Sequence, residues 1–272
     1  TIGGLFEYGN AASKPNNIIT NGRPLSASTL TVSQSSGTVD FFSGRLMGAL
    51  NLVKTGAANS ILTLAGANTF NGATTVSGGS LVLSNQVALQ NSTLTVTGGL
   101  VGFGGGITAF TLGGLAGAQN IGLTNALGSV IELSVGNNNS NTVYSGNLSA
   151  GGSLIKVGTG TLTLAGVNSY MGTTTLSNGT LALGCDNALS SDARLIFSGG
   201  TLNPGVYSNT LGKLSVTGAG TLALGDGSCQ LAFADSTDQA WTGTLNVTGN
   251  WVPSALRFGT DATALTKAQL SS

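Results

Sequence analysis

The chain has 272 residues, nine basic and nine acidic side chains for a formal net charge of zero, and no His. Only 7% of its residues are charged and 44 are Gly, against about 25% charged in ordinary soluble domains, so Ser, Thr, Asn and Gly must cover most of the surface. This excludes a phosphate-neutralising basic face for nucleic acid, a polybasic membrane patch and, without His, the Ser-His-Asp triad and most transition-metal sites.

Taken in chain order, residues 1–28 contain Pro15 and Pro24 and read as an extended arm or irregular cap, with Leu5, Phe6, Tyr8, Ile18 and Ile19 as its apolar contacts. The start, TIGGLFEYGN, lacks Met and reads as processed or truncated. From 29 to 240 the apolar pattern has a period of two, the mark of strands with one buried face. Short runs carry it: Thr29–Val32, Ile61–Leu64, Ser80–Leu83, Thr93–Val96, Thr161–Leu164, Thr180–Leu183 and Thr221–Leu224. Gly-Gly and Asn-Gly pairs at 71–72, 78–79, 98–99, 178–179 and 199–200 supply turns between them. No run of eighteen apolar residues suggests a membrane helix.

The segment LTLAGANTFNGATTVSGGSLVLSNQVAL, 62–89, recurs at 162–189 as LTLAGVNSYMGTTTLSNGTLALGCDNAL, without a gap and with more than half of the positions identical. Such duplication marks a repeat architecture. The predicted fold is all-β: a single right-handed parallel β-helix, or β-solenoid, over 29–240 with repeats at about 48–89 and 151–189. An antiparallel sandwich or two smaller β domains is the alternative. The looser segment 102–141 is expected to hold protruding loops, with Gly136–Asn141 the best candidate. Residues 241–272, with Trp241, Trp251 and Phe258, are expected to close the C-terminal end and offer an interface, because an open sheet edge invites pairing.

The second copy reads Lys156, Gly158-Thr159-Gly160, Thr161–Leu164, Gly166, Asn168, Tyr170, Gly172, Thr173–Thr175 and Gly179-Thr180-Leu181; the first carries Lys54, Gly56, Gly66, Asn68, Phe70, Gly72, Thr74, Thr75 and Gly79. These residues resemble the autotransporter-associated β-strand repeat of bacterial passenger domains. The resemblance implies a right-handed β-helix outside the cell, and no particular activity. The strand series of a translocator barrel is missing, and the chain is short for a passenger, so it reads as a fragment or a stand-alone secreted subunit.

Candidate chemistry is sparse. Asp186 with Asp192, and Asp235 with Asp238, are the carboxylate pairs that a glycan-cleaving site would need; turn capping by Asp explains them more simply. Asp226, Asp235 and Asp238 are weak calcium ligands at most, and no cofactor or metal is expected. Cys185 and Cys229 each follow a TLAL strand and are the candidate disulfide, with two buried free thiols as the alternative. Lys54 and Lys156 read as solvated turn cations. Asn68 and Asn168 read as turn caps, and Phe70 and Tyr170 as corner packing, with a sugar-stacking ladder as the alternative.

The expectation is therefore a non-enzymatic, extracellular or surface protein that assembles with itself head to tail into a fibre or layer, through edge-strand contacts of the arm. Its near-zero charge favours association. The alternative is an adhesin-type passenger fragment that binds surface glycans or host surfaces. Neither reading involves nucleic acid or membrane insertion.

Overall fold

The computed structural model describes residues 17–21, 27–250, 252, 255–260, 264–266 and 269. They form a parallel β-solenoid of about 11 turns. Its strands are short because each covers one face of a coil before Gly, Asn or Ser turns the corner. At about 4.8 Å per coil the stack is roughly 50 Å long.

Three faces run along the solenoid. The first carries Ser28–Gln34, Leu50–Gly56, Thr74–Val76 and the ends of Leu89–Val96 and Ala109–Gly117. It continues through Thr142–Tyr144, Thr161–Leu164, Thr180–Leu183, Thr201–Asn203, Gly220–Ala223 and Leu245–Thr248. The second carries Val39–Phe42, Ile61–Leu64, Ser80–Leu83 and Leu100–Phe103, then Ile121–Gly122 and Leu148–Ser149, and at the far end Ser208–Leu211, Gln230–Phe233 and Leu256–Phe258. The third starts with Ile18–Thr20 on Arg45–Met47 and later carries Glu132–Val135, Ser153–Lys156, Thr174–Leu176, Leu195–Phe197 and Leu214–Val216. Among the described residues every ladder between named strands is parallel.

The alternation read from the sequence places one set of side chains inside. Leu62, Leu81, Leu162, Leu181, Leu202 and Leu222 are at most 1% exposed and stack along their columns. Each is worth roughly 1.5–3 kcal/mol relative to exposure. The pairing runs past both expected boundaries of the helical body, out to Ile18 on one side and Phe258 on the other.

The two sequence repeats do not sit in phase. The lysine strand of the first copy, Leu50–Gly56, lies on the first face, whereas its equivalent Ser153–Lys156 lies on the third. The Thr-Leu-Thr-Leu strands shift likewise, Ile61–Leu64 on the second face and Thr161–Leu164 on the first. The second copy is thus turned by one face, about a third of a turn. The cause is coil length. The turn from Gly117 to Tyr144 takes 27 residues, whereas that from Leu162 to Leu181 takes 19. The long turn holds two loops, 124–130 and 136–141.

The expected protruding loop and the observed one within 102–141 differ. Gly136–Asn141 does not protrude. Asn137 donates to the Gln90 carbonyl (2.9 Å), Asn138 to Thr93 Oγ1 (2.8 Å), and the oxygens of Asn139 and Asn141 accept from Thr159 N and Thr161 N. The loop is a strap lashed to coils before and after it. The projecting loop is 124–130, closed by the Thr124–Val130 bridge, with Leu127 75% exposed at its tip.

Candidate functional site

The repeat's signature residues are interior. In Leu50–Gly56 the period of two that buries Leu50 and Leu52 also buries Lys54; Lys54 and Lys156 are 0% and 1% exposed. Lys54 Nζ donates to the Thr55 and Gly78 carbonyls and to Ser60 Oγ at 2.9–3.1 Å. Lys156 Nζ donates to the Val157, Gly158 and Asn178 carbonyls at 2.6–3.3 Å. Each ammonium caps its own corner and the corner of the next coil, so the solvated-cation reading is overturned. Burial pushes the Lys156 ammonium down to about 8; it also lowers Lys54, with Asp40 opposing. Gly79 (φ +65°) packs directly against this cap, where a Cβ would strike Lys54 Nζ.

Asn68 and Asn168 are 2% exposed and bridge coils. Asn168 Oδ1 accepts from Leu148 N (2.8 Å) and its Nδ2 donates to the Ala188 carbonyl (2.7 Å); Asn68 does the same between Leu46 and Ala88. Phe70 and Tyr170 are buried at the corners, and Tyr170 Oη pairs with Thr174 Oγ1 at 2.5 Å. Burial removes them from any sugar-stacking ladder.

The cysteines are free. Ser208 N donates to Asp186 Oδ1, and Ser208 is in register with Gln230. Cys185, Tyr207 and Cys229 therefore follow one column, two coils from end to end. That is roughly 10 Å, beyond the roughly 4.4–6.8 Å Cα span of a disulfide. The disulfide expectation is corrected accordingly.

Of the residues assigned to assembly, Leu5, Phe6, Tyr8 and Trp251 lie outside the described residues. Ile18 and Ile19 belong to a strand on the chain's own Arg45–Met47, Ile18 outward and Ile19 against the core. Trp241 Nε1 donates to the Leu214 carbonyl (3.2 Å) and its ring meets Phe258 edge-on, while Phe258 stacks on Phe233.

Two of the candidate carboxylates, Asp226 and Asp235, cap their own turns, whereas Asp186 accepts from Ser208 N on the next coil. Asp226 Oδ1 accepts from Ser228 N and Oγ, which lowers its pKa, and Asp235 Oδ1 accepts from Thr237 N and Oγ1. Asp192 N is itself held by Ser190 Oγ (3.2 Å). Asp238 pairs with Lys213 at 2.5 Å, the one ion pair among the described residues; the Gln239 amide first and Lys213 second hold its carboxyl low. No three His, Cys, Asp or Glu side chains group together among the described residues.

What sequence reasoning missed is a furrow on the second face near the C-terminal end. Three clefts of about 360, 270 and 270 Å³ meet at Thr210. Two of them share the register column Thr210, Ala232, Arg257 over successive coils, and Asn187, whose Oδ1 accepts from Thr210 N, extends it one coil back. Asp186 and Gln230 line one side, and Ser191 and Asp235 the other. Four coils contribute, so no local motif announces the site.

The passenger-associated-transport-repeat model matches residues 52–83 and 154–183. These matches bracket the two lysine corners and the strands that follow them. The chain is 36% identical over 126 residues, 45% of its length, to the adhesin BmaC autotransporter of Brucella suis biovar 1 (strain 1330). It spans 4% of that protein's length. No solved structure matches. The chain is a β-solenoid that carries two stretches similar to the passenger-associated-transport repeat.

Proposed function

We propose that this chain is a non-enzymatic length of an adhesin-type autotransporter passenger, displayed on or released from a bacterial cell and contacting other surfaces through its outer face. The similarity to an autotransporter adhesin over 126 residues carries the reading. The build of the molecule supports it: the repeat's lysines, asparagines and aromatics are engaged inside, which leaves a stiff rod whose outer side chains are free to vary. No observation favours the head-to-tail fibre. The test is attachment. Beads coated with the folded chain should bind epithelial cells or matrix-coated wells several-fold above beads coated with heat-unfolded chain. Equal attachment of the two would sink the adhesin reading.

A further inference from the structure

We infer that the furrow centred on Thr210, Ala232 and Arg257 is a binding site for an uncharged oligosaccharide. The inference rests on the adhesin reading for its biological sense and on the furrow for its chemistry. The clefts lie side by side along four coils, about 14 Å of solenoid at the coil spacing, with Thr210 in the lining of all three, which suits a short linear oligomer. Ala232 is the small residue between Thr210 and Arg257 in the shared column, and its missing bulk opens the furrow there.

The wall groups are those that hydroxyl-rich ligands need. Asp186 and Asp235 each commit Oδ1 to a turn or coil amide, and the second oxygen of each makes no hydrogen bond with the described residues. Arg257 is exposed and makes no ion pair among the described residues. Asn187, Gln230, Ser191 and Thr210 add amides and hydroxyls that donate and accept. One guanidinium against two carboxylates gives no positive surplus, so a phosphate polymer is a poor occupant. Too few ligating groups converge for a cation to be the primary occupant. A neutral chain of hydroxyls matches what remains.

The test is a microbial and mammalian oligosaccharide array probed with the purified chain, followed by titration of any hit. Ala232→Trp should fill the furrow and Arg257→Gln should remove its donor fork; each is expected to weaken binding by about tenfold or more. Asp186→Asn keeps the Oδ1 acceptor for Ser208 N and should weaken binding less. Melting curves check that the variants fold, and Arg257→Gln, on an exposed side chain, serves if Ala232→Trp does not. A hit that Ala232→Trp and Arg257→Gln leave unchanged overturns the site. A blank array with beads that still attach overturns the furrow and spares the adhesin reading. Furrow-dependent binding with no bead attachment does the reverse.

Discussion

Lys54 reaches across a corner of the solenoid to place Nζ 3.1 Å from the Gly78 carbonyl oxygen, one coil further on. Lys156 stands in the same relation to Asn178, at 3.3 Å. The repeat's lysine is thus a cross-coil staple. Lys156→Met keeps the stem's packing and strips three oxygens of their donor, so it should cost about 1–3 kcal/mol. Lys213→Met, which breaks only an exposed ion pair, should cost under about 1 kcal/mol. Urea unfolding of both variants checks the contrast; equal losses would return Lys156 to the status of a surface cation.

The same burial makes stability depend on pH in a direction opposite to that of most proteins. The Lys156 ammonium titrates at about 8 when folded, against about 10.4 in an unfolded chain. Between these values the unfolded chain holds more protons, so stability rises with pH. Tyr144 and Tyr170 act the other way: burial raises both phenols, and their contribution is lost once the unfolded chain's tyrosines ionise above about pH 10. The unfolding free energy should therefore climb by on the order of 2 kcal/mol from about pH 8 to 10, then turn down. Lys156→Met should flatten much of the climb. A profile that falls steadily from pH 8 contradicts this account.

Asn168 replaces a stretch of backbone ladder. Where the second face has no strand at 166–170, its side chain bridges Leu148 N and the Ala188 carbonyl. Asn168→Ala leaves the buried Leu148 N without its acceptor, at about 1–3 kcal/mol, and leaves the Ala188 carbonyl with the backbone N–H of residue 168 alone, at 3.3 Å. Asn168→Asp keeps the acceptor but buries a charge and loses the donor, so it should be the more damaging at neutral pH and should recover in part as the carboxyl is protonated. Hydrogen exchange at Leu148 and melting at pH 4 and 7 report both effects.

The strands and their inward side chains were legible because a period of two survives in almost every coil, and Leu50, Leu52 and Lys54 show that it held even where it seemed chemically wrong. Lysine's usual preference for water argues for an outward Lys54, yet the side chain follows the pattern inward. The relative rotation of the repeats was not legible. It depends on how many residues each loop withdraws from the coil, and the straps made by Asn137 to Asn141 run to partners about 20 to 47 residues away. The furrow escaped for the same reason: Asn187, Thr210, Ala232 and Arg257 become neighbours only once every coil has been counted.

The cysteines show what a single uncounted coil does. Thr180 and Thr221, which open the two TLAL strands, are both in register with Thr201, so a whole coil lies between them. That coil reads TLN and does not look like its neighbours. With Tyr207 in the intervening position, Cys185 and Cys229 stay reduced. Burial raises both thiols, and Cys229 is wholly enclosed. The native chain should therefore label at Cys185 alone with a maleimide, slowly, and at both sites after denaturation. Dithiothreitol should leave the melting temperature within about 1 °C, whereas a disulfide closing this loop would be worth about 2–4 kcal/mol. Mass spectrometry of the labelled chain decides it: a mass two hydrogens lighter, with neither thiol available after denaturation, would mean that the coils can slide to bring the column together.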